Sequence, residues 1–152
     1  MHETTLYRLE YEAPSFLIDS VDLTFELDPK KTLITARYTL TKNPDNPSRD
    51  FILDGSDTLT LESFIQNGET LDLKALRFNQ EGGILLTDLS DTVTLEIQNS
   101  VSPENNHRLQ GIFMTDGLFC SDCEPQGFRH ITYFPDRPDV MATYRVKVIA
   151  DK

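Results

Sequence analysis

At 152 residues the chain fits one domain of ordinary size, able to bury roughly 70% of the surface its unfolded form exposes, so neither a disulfide staple nor a structural metal is needed to hold the core. Fourteen basic against twenty-five acidic side chains give a net charge of -11, a field that repels phosphate backbones and anionic head groups and so argues against nucleic acid or a membrane surface as a partner. With no long apolar run, and no apolar segment behind basic residues at the N-terminus, neither a membrane span nor a secretory signal is expected, and the chain reads as a soluble, cytoplasmic protein.

The first periodic segment is "IDSVDLTFELD", in which Val21, Leu23, Phe25 and Leu27 alternate with polar residues, as a half-buried strand requires. "DPKK" turns the chain, and "TLITARYTLT" then puts Ile34, Ala36, Tyr38 and Leu40 on one face, which predicts an antiparallel hairpin over residues 18 to 41. The polar loop "KNPDNPSRD" follows. Strand candidates recur in "FILDG", "TLTLESFIQNG", "ETLDLKALRFN", "GGILLTDL" and "DTVTLEIQNSV". Asn67-Gly68 is a tight-hairpin signal, because both central residues of such a turn need positive φ. Gly82-Gly83 reads as a turn between two strands, and Val93, Leu95 and Ile97 keep to one face. "MATYRVKVI" closes the series, alternating Tyr144, Val146 and Val148 with Arg145 and Lys147.

No stretch before residue 100 holds a helical apolar pattern over three turns. The expected fold is therefore all-β, a saddle or sandwich of twisted antiparallel sheets with about eight strands. Residues 100 to 139 form the one long region without periodicity, and irregular segments of that length tend to carry function. It contains "CSDCEPQGFRHITYFPDRPD", where thiols, carboxylates, arginines, a histidine and aromatics crowd together.

The chemistry of that crowd is limited. His2-Glu3 begins a zinc-peptidase pattern H-E-x-x-H, but the residue that would complete it is Leu6, and His107 and His130 form no local metal motif. There is no nucleophile elbow, phosphate loop or dinucleotide fingerprint. Cys120 and Cys123 have the spacing of a redox pair or of half a zinc site; with no second ligand pair at similar spacing, reduced and unliganded thiols are expected. Arg129 and Arg137 are placed to pair with Asp136 or Asp139 and pin the loop, while "ITYF" is expected to anchor it by aromatic burial. Such a loop is suited to presenting one side chain accurately to something outside the domain.

The block "GIFMTDGLFCSDCEPQGFRHITYFPDRPDVMATYRVKV", with "YEAPSFLIDSVDLTFELDPKKTLITA" before it, resembles the N-terminal domain of bacterial aminopeptidase N, a zinc exopeptidase of the gluzincin type. The resemblance covers essentially the whole chain. It implies a single saddle-shaped β domain, residues 1–152, packed in the complete enzyme against a downstream catalytic domain that holds the zinc and the motifs G-x-M-E-N and H-E-x-x-H. Neither motif is present here, so this chain alone is expected to hydrolyse nothing and to bind no metal. The ending "VKVIADK", directly after a strand, likewise reads as a domain of something longer.

The same resemblance implies that Glu124, directly after the second cysteine, binds the free α-amino group of a peptide substrate. An ammonium with three donors is well recognised by carboxylates, whose charge-assisted hydrogen bonds are about twice as strong as neutral ones. Many bacterial relatives carry glutamine where this chain has Asp122; a carboxylate accepts where an amide also donates, which makes Asp122 a candidate substrate-binding residue that alters preference for the first residue. Two rivals stand beside this reading. One is a free-standing β-sandwich interaction module using the acidic loop for a basic partner. The other is a thiol redox protein, which requires a Cys120 or Cys123 thiol well below about 8.5.

Overall fold

The computed structural model describes residues 11–151. β1 (Phe16–Glu26) and β2 (Thr32–Lys42) form the expected antiparallel hairpin, with a register shift between Ile18 and Val21. Asp28 closes its turn: the carboxylate accepts from the amides of Lys30 and Lys31 at 2.8 and 2.9 Å, and the Asp28 carbonyl accepts from the Thr32 hydroxyl at 2.8 Å. β3 (Phe51–Leu53) follows the polar loop, and β4 (Thr60–Gln66) folds back on β5 (Glu69–Thr70). Asn67 and Gly68 have φ of 53° and 80° between them, the conformation the tight hairpin demands.

The segment "ETLDLKALRFN" departs from a continuous strand. After β5 it makes a 3-10 turn at Leu73–Ala75, started by Asp72 accepting from the Lys74 amide at 3.0 Å, before the short β6 (Arg77–Phe78). Asp72 competes for a backbone donor, as Asp does at helix starts. Residues 79–83 turn into β7 (Ile84–Leu86), and β8 (Thr92–Val101) follows with Val93, Leu95 and Ile97 buried on one face.

Residues 100–139 are more ordered than their lack of periodicity suggests. They contain a 3-10 turn at Pro103–Asn105, an antiparallel hairpin of β9 (Gly111–Thr115) and β10 (Leu118–Asp122), and a 3-10 turn at Phe128–His130. β11 (Thr143–Ile149) ends the described fold. Among the described residues there is no α-helix, and no helix is long and apolar enough to cross a membrane.

Among the described residues the all-β fold is built from eleven strands in three sheets, more than the eight expected because several are only two or three residues long. The large sheet has the order β11-β1-β2-β8-β4-β5, the second β3-β7-β6, and the third is the β9-β10 hairpin. All pairs are antiparallel except β11, which adds to β1 in parallel. The core lies between the large sheet (Phe16, Val21, Ala36, Tyr38, Leu40, Val93, Ile97) and the second sheet (Phe51, Leu53, Ile84, Leu86), with Tyr133 and Phe134 from the late segment packed among them. Each fully buried aliphatic or aromatic side chain of this kind contributes about 1.5–3 kcal/mol. A smaller cluster of Ile34, Val101, Ile112 and Ile131 seats the hairpin and the 3-10 turn on the large sheet.

Candidate functional site

The hairpin that leads to Glu124 is set by its tip. Asp116 and Gly117 have φ of 48° and 79°, so this Asp-Gly pair makes the same kind of tight turn as Asn67-Gly68. Its base fits against the following segment through Gly111, at φ 75°, where a Cβ would lie 2.8 Å from the His130 carbonyl oxygen. Only glycine meets both conditions. Register then fixes where the strand ends: Asp122 pairs with Gly111, and Cys123 is the first residue beyond.

Residues 124–127 turn the chain sharply. The Gly127 amide donates to the Glu124 carbonyl at 2.6 Å, Pro125 occupies the second position with its fixed φ, and Gln126 has φ of 70°. Proline followed by a positive φ is the pattern of a type II turn. A Cβ on Gly127 would sit 2.7 Å from the Glu124 carbonyl oxygen and 2.8 Å from Cys123 Cα, so the turn is closed as tightly as backbone allows.

The next ten residues hold that turn in place. Ile131 to Pro135 are all buried, as the aromatic anchor requires. The Ile131 carbonyl accepts from the Asn99 amide at 2.9 Å, the Thr132 hydroxyl donates to the Asn99 side-chain oxygen at 2.7 Å, and the Tyr133 carbonyl accepts from the Tyr38 hydroxyl at 2.8 Å. Phe134 packs edge-on against Phe128 and Tyr38 with centroids 5.1 and 5.9 Å apart, and its backbone exchanges hydrogen bonds with Asp54 at 2.9 and 3.1 Å.

Both arginine pairings exist. One oxygen of Asp136 accepts from the backbone amide and from Nε of Arg129, each at 3.1 Å, and the Asp136 amide donates to Asp54 at 2.9 Å. The Arg129 guanidinium also lies 3.6 Å from Asp54. Arg137 donates to both oxygens of Asp139, at 2.9 and 2.6 Å, and to the Glu12 carbonyl at 2.7 Å, while the Tyr11 hydroxyl donates to Asp139 at 2.9 Å. Burial pushes the Asp54 carboxyl up, opposed by the Asp136 amide and the Arg129 charge. The arginine beside Asp139 holds its carboxyl below the usual range.

In contrast to Asp136 and Asp139, Asp122 and Glu124 are exposed and, among the described residues, their carboxylates engage no hydrogen-bond or ion-pair partner. The two stand on either side of Cys123. An open cleft of about 1090 Å³ is lined by Gln126, Arg129, Asp136 and Arg137 together with Asp50 and Asp54, so the turn borders this cleft through Gln126 rather than through Glu124. Cys120 and Cys123 are free thiols. Loss of solvation beside neighbouring protein atoms, with the charges of Asp122 and Asp136, pushes the Cys123 thiol above its ordinary value, the opposite of what the redox reading requires of it. Partial burial and the nearby Arg108 lower His130, favouring its neutral form.

Among the described residues no three His, Cys, Asp or Glu side chains converge in a way that holds a metal, and His2 and Glu3 lie outside the described residues.

Residues 10–152 match the family described as Peptidase M1 N-terminal domain. The chain belongs to this family. It is 38% identical to aminopeptidase N of Escherichia coli (strain K12) over 157 aligned residues, and 37% identical to aminopeptidase N of Haemophilus influenzae; each alignment covers 96% of this chain but only 16% and 17% of those proteins. Aminopeptidase A of Legionella pneumophila, solved in complex with aspartic acid, superposes with a TM-score of 0.81 at 29% identity over 93% of this chain and 17% of that one. The M1 zinc metallopeptidase of Deinococcus radiodurans shares the fold, with a TM-score of 0.66 at 20% identity over 88% of this chain and 32% of that one. An M1 N-terminal domain is thus what the all-β pattern and the late segment together encode.

Asn99 is the residue near the site that sequence reasoning passed over. It continues the buried face of Val93, Leu95 and Ile97 as a polar residue at a core position, and it is fully buried. That inconsistency was a readable signal, since a buried amide needs partners and here finds them on the loop.

Proposed function

We propose that this chain is the N-terminal β domain, residues 1–152, of a larger zinc aminopeptidase that removes N-terminal amino acids from peptides. Its part is to cap the active site and present the Glu124 carboxylate to the substrate's α-ammonium group. The observation that carries this reading is the pairing of a fixed backbone with a free acid: Glu124 opens a turn closed by a 2.6 Å hydrogen bond, yet its carboxylate stays exposed and unengaged among the described residues. A carboxylate committed to an internal ion pair has little left for a ligand, whereas this one keeps its full accepting capacity.

Zinc, attacking water and general base belong in this reading to the downstream catalytic domain, which is this domain's partner, with peptide N-termini as the ligand. The surface supports such a partner. Every residue of β11 is exposed, including Tyr144, Val146, Val148 and Ile149, and Met141 just before it is 82% exposed. Apolar side chains so concentrated on an edge strand suit packing against another domain better than contact with water. Asp122, two residues before Glu124, is proposed to face the same ligand and to bias the choice of first residue.

The test is made on the full-length protein that contains this chain. Glu124→Ala is expected to lower kcat/KM for substrates with a free α-amino group by the equivalent of about 2–5 kcal/mol, the cost of removing one partner of a desolvated charge pair, with zinc content retained. Unchanged kcat/KM overturns the role of Glu124. In the same assay Asp122→Gln is expected to change the ratio of rates on arginyl and leucyl substrates, and an unchanged ratio removes Asp122 from the site. A reading frame that closes directly after Lys152, with no G-x-M-E-N or H-E-x-x-H beyond it, overturns the enzyme reading as a whole in favour of the interaction module.

A further inference from the structure

We infer that Arg129, held by Asp136 and Asp54, is a positioning residue for Glu124. This rests on the reading of Glu124 proposed above and extends it to the groups that aim the carboxylate.

The path between them is short and made of fixed contacts. Gly127 closes the Glu124 turn, and its carbonyl accepts from the His130 amide at 3.1 Å, so the 3-10 turn that carries Arg129 starts where the Glu124 turn ends. One Asp136 oxygen then takes both the backbone amide and Nε of Arg129. This fixes backbone and side chain with the same acceptor. Asp136 is tied in turn to Asp54 through its amide, and Asp54 directly follows β3 in the second sheet. The three side chains are 16%, 14% and 21% exposed, so their attraction is screened less than that of a surface pair.

Other braces of the segment act elsewhere. Asn99 and Tyr38 hold residues 131–133 to the large sheet, and Arg137 with Asp139 ties the DRPD stretch to residues 11 and 12. Among the described residues the Arg129 brace is the ionic contact nearest in sequence to the Glu124 turn. It also joins that turn to the opposite sheet, so the turn is held from two sides. Removing it leaves the aromatic anchor in place and frees the turn to tilt about Gly127.

A double-mutant cycle between Arg129 and Glu124 in the full-length protein, read on alanyl p-nitroanilide, separates positioning from a general effect on the fold. Arg129→Ala is expected to raise KM more than it lowers kcat, and to reduce kcat/KM about 10- to 100-fold, the range in which a displacement of about 1 Å at a site is felt. In the Glu124→Ala background the same substitution is expected to cost less than about threefold, because a residue acting only through Glu124 has nothing left to aim. Equal losses in both backgrounds overturn the inference while leaving the Glu124 reading intact. A Glu124→Ala protein of full activity overturns the reading itself, and the inference with it. If Arg129→Ala does not accumulate folded, Asp136→Asn enters the cycle in its place: it keeps an acceptor for the Arg129 amide and removes the nearest of the charges that hold the guanidinium. The same two outcomes decide.

Discussion

Residues 122–126 and residues 131–135 belong to one continuous segment and are built on opposite terms. The first stretch is exposed throughout, with Asp122 and Glu124 unengaged among the described residues. The second is buried throughout, its carbonyls and hydroxyl met by Asn99, Tyr38 and Asp54. The difference shows how one continuous segment can join a closely defined backbone to carboxylates that the fold leaves uncommitted. Burial and hydrogen bonding define the backbone in one stretch, and a tight turn with an ionic brace adjoins it in the other, where the carboxylates make no internal contact among the described residues. A carboxylate in the buried stretch would have been neutralised or paired; a flexible loop without the buried stretch would present Glu124 over a wide range of positions.

The largest expected effect comes from breaking the buried half. Phe134 is 3% exposed and packs against Tyr38, Phe128 and Tyr144. Phe134→Ala is expected to destabilise the domain by about 3–5 kcal/mol, the usual range for deleting a large buried ring. Urea unfolding measures it through the midpoint at constant slope. A loss below about 1 kcal/mol would mean that this segment is not integral to the core.

A smaller effect is expected at Asn99. Asn99→Ala takes the partner from the Ile131 carbonyl and the Thr132 hydroxyl, at about 1–3 kcal/mol in all, because the smaller side chain leaves room for a water to take over part of the pairing. Because the loss falls on the loop, hydrogen exchange at residues 131–134 is expected to speed up more than in β1 or β2, which sharpens the contrast between anchor and sheet. A uniform change across the domain would argue that Asn99 serves the sheet rather than the loop.

Much of this was legible in the sequence where a single local rule applies. The β1-β2 hairpin follows from strict alternation, the Asn67-Gly68 turn from positive φ, and the Arg129 and Arg137 pairings from the density of opposite charges around them. Two kinds of feature were not. The β9-β10 hairpin was hidden because "GIFMT" and "LFCSD" do not alternate cleanly, although Asp116-Gly117 between them carries the same turn signal as Asn67-Gly68. The parallel seat of β11 beside β1 depends on long-range pairing that no periodicity within β11 encodes. The site behaves likewise: the residue types near Glu124 were visible, but the brace through Asp54, far away in sequence, appears only once the second sheet is in place.

The smallest effect tests the exposed half. If Glu124 and Asp122 are kept free for a ligand, they contribute nothing to holding the domain together, and replacing either by its amide removes a charge without removing an internal contact. Glu124→Gln and Asp122→Asn are therefore each expected to change unfolding free energy by less than about 0.5 kcal/mol. With a net charge of -11, loss of one negative charge relieves some self-repulsion, so the sign of any small change is expected to be stabilising. A destabilisation above about 1 kcal/mol in the Glu124 variant would show that its carboxylate is part of the domain's own framework. The division between a buried anchor and an exposed, uncommitted acid would then fail at the residue on which the proposed function depends.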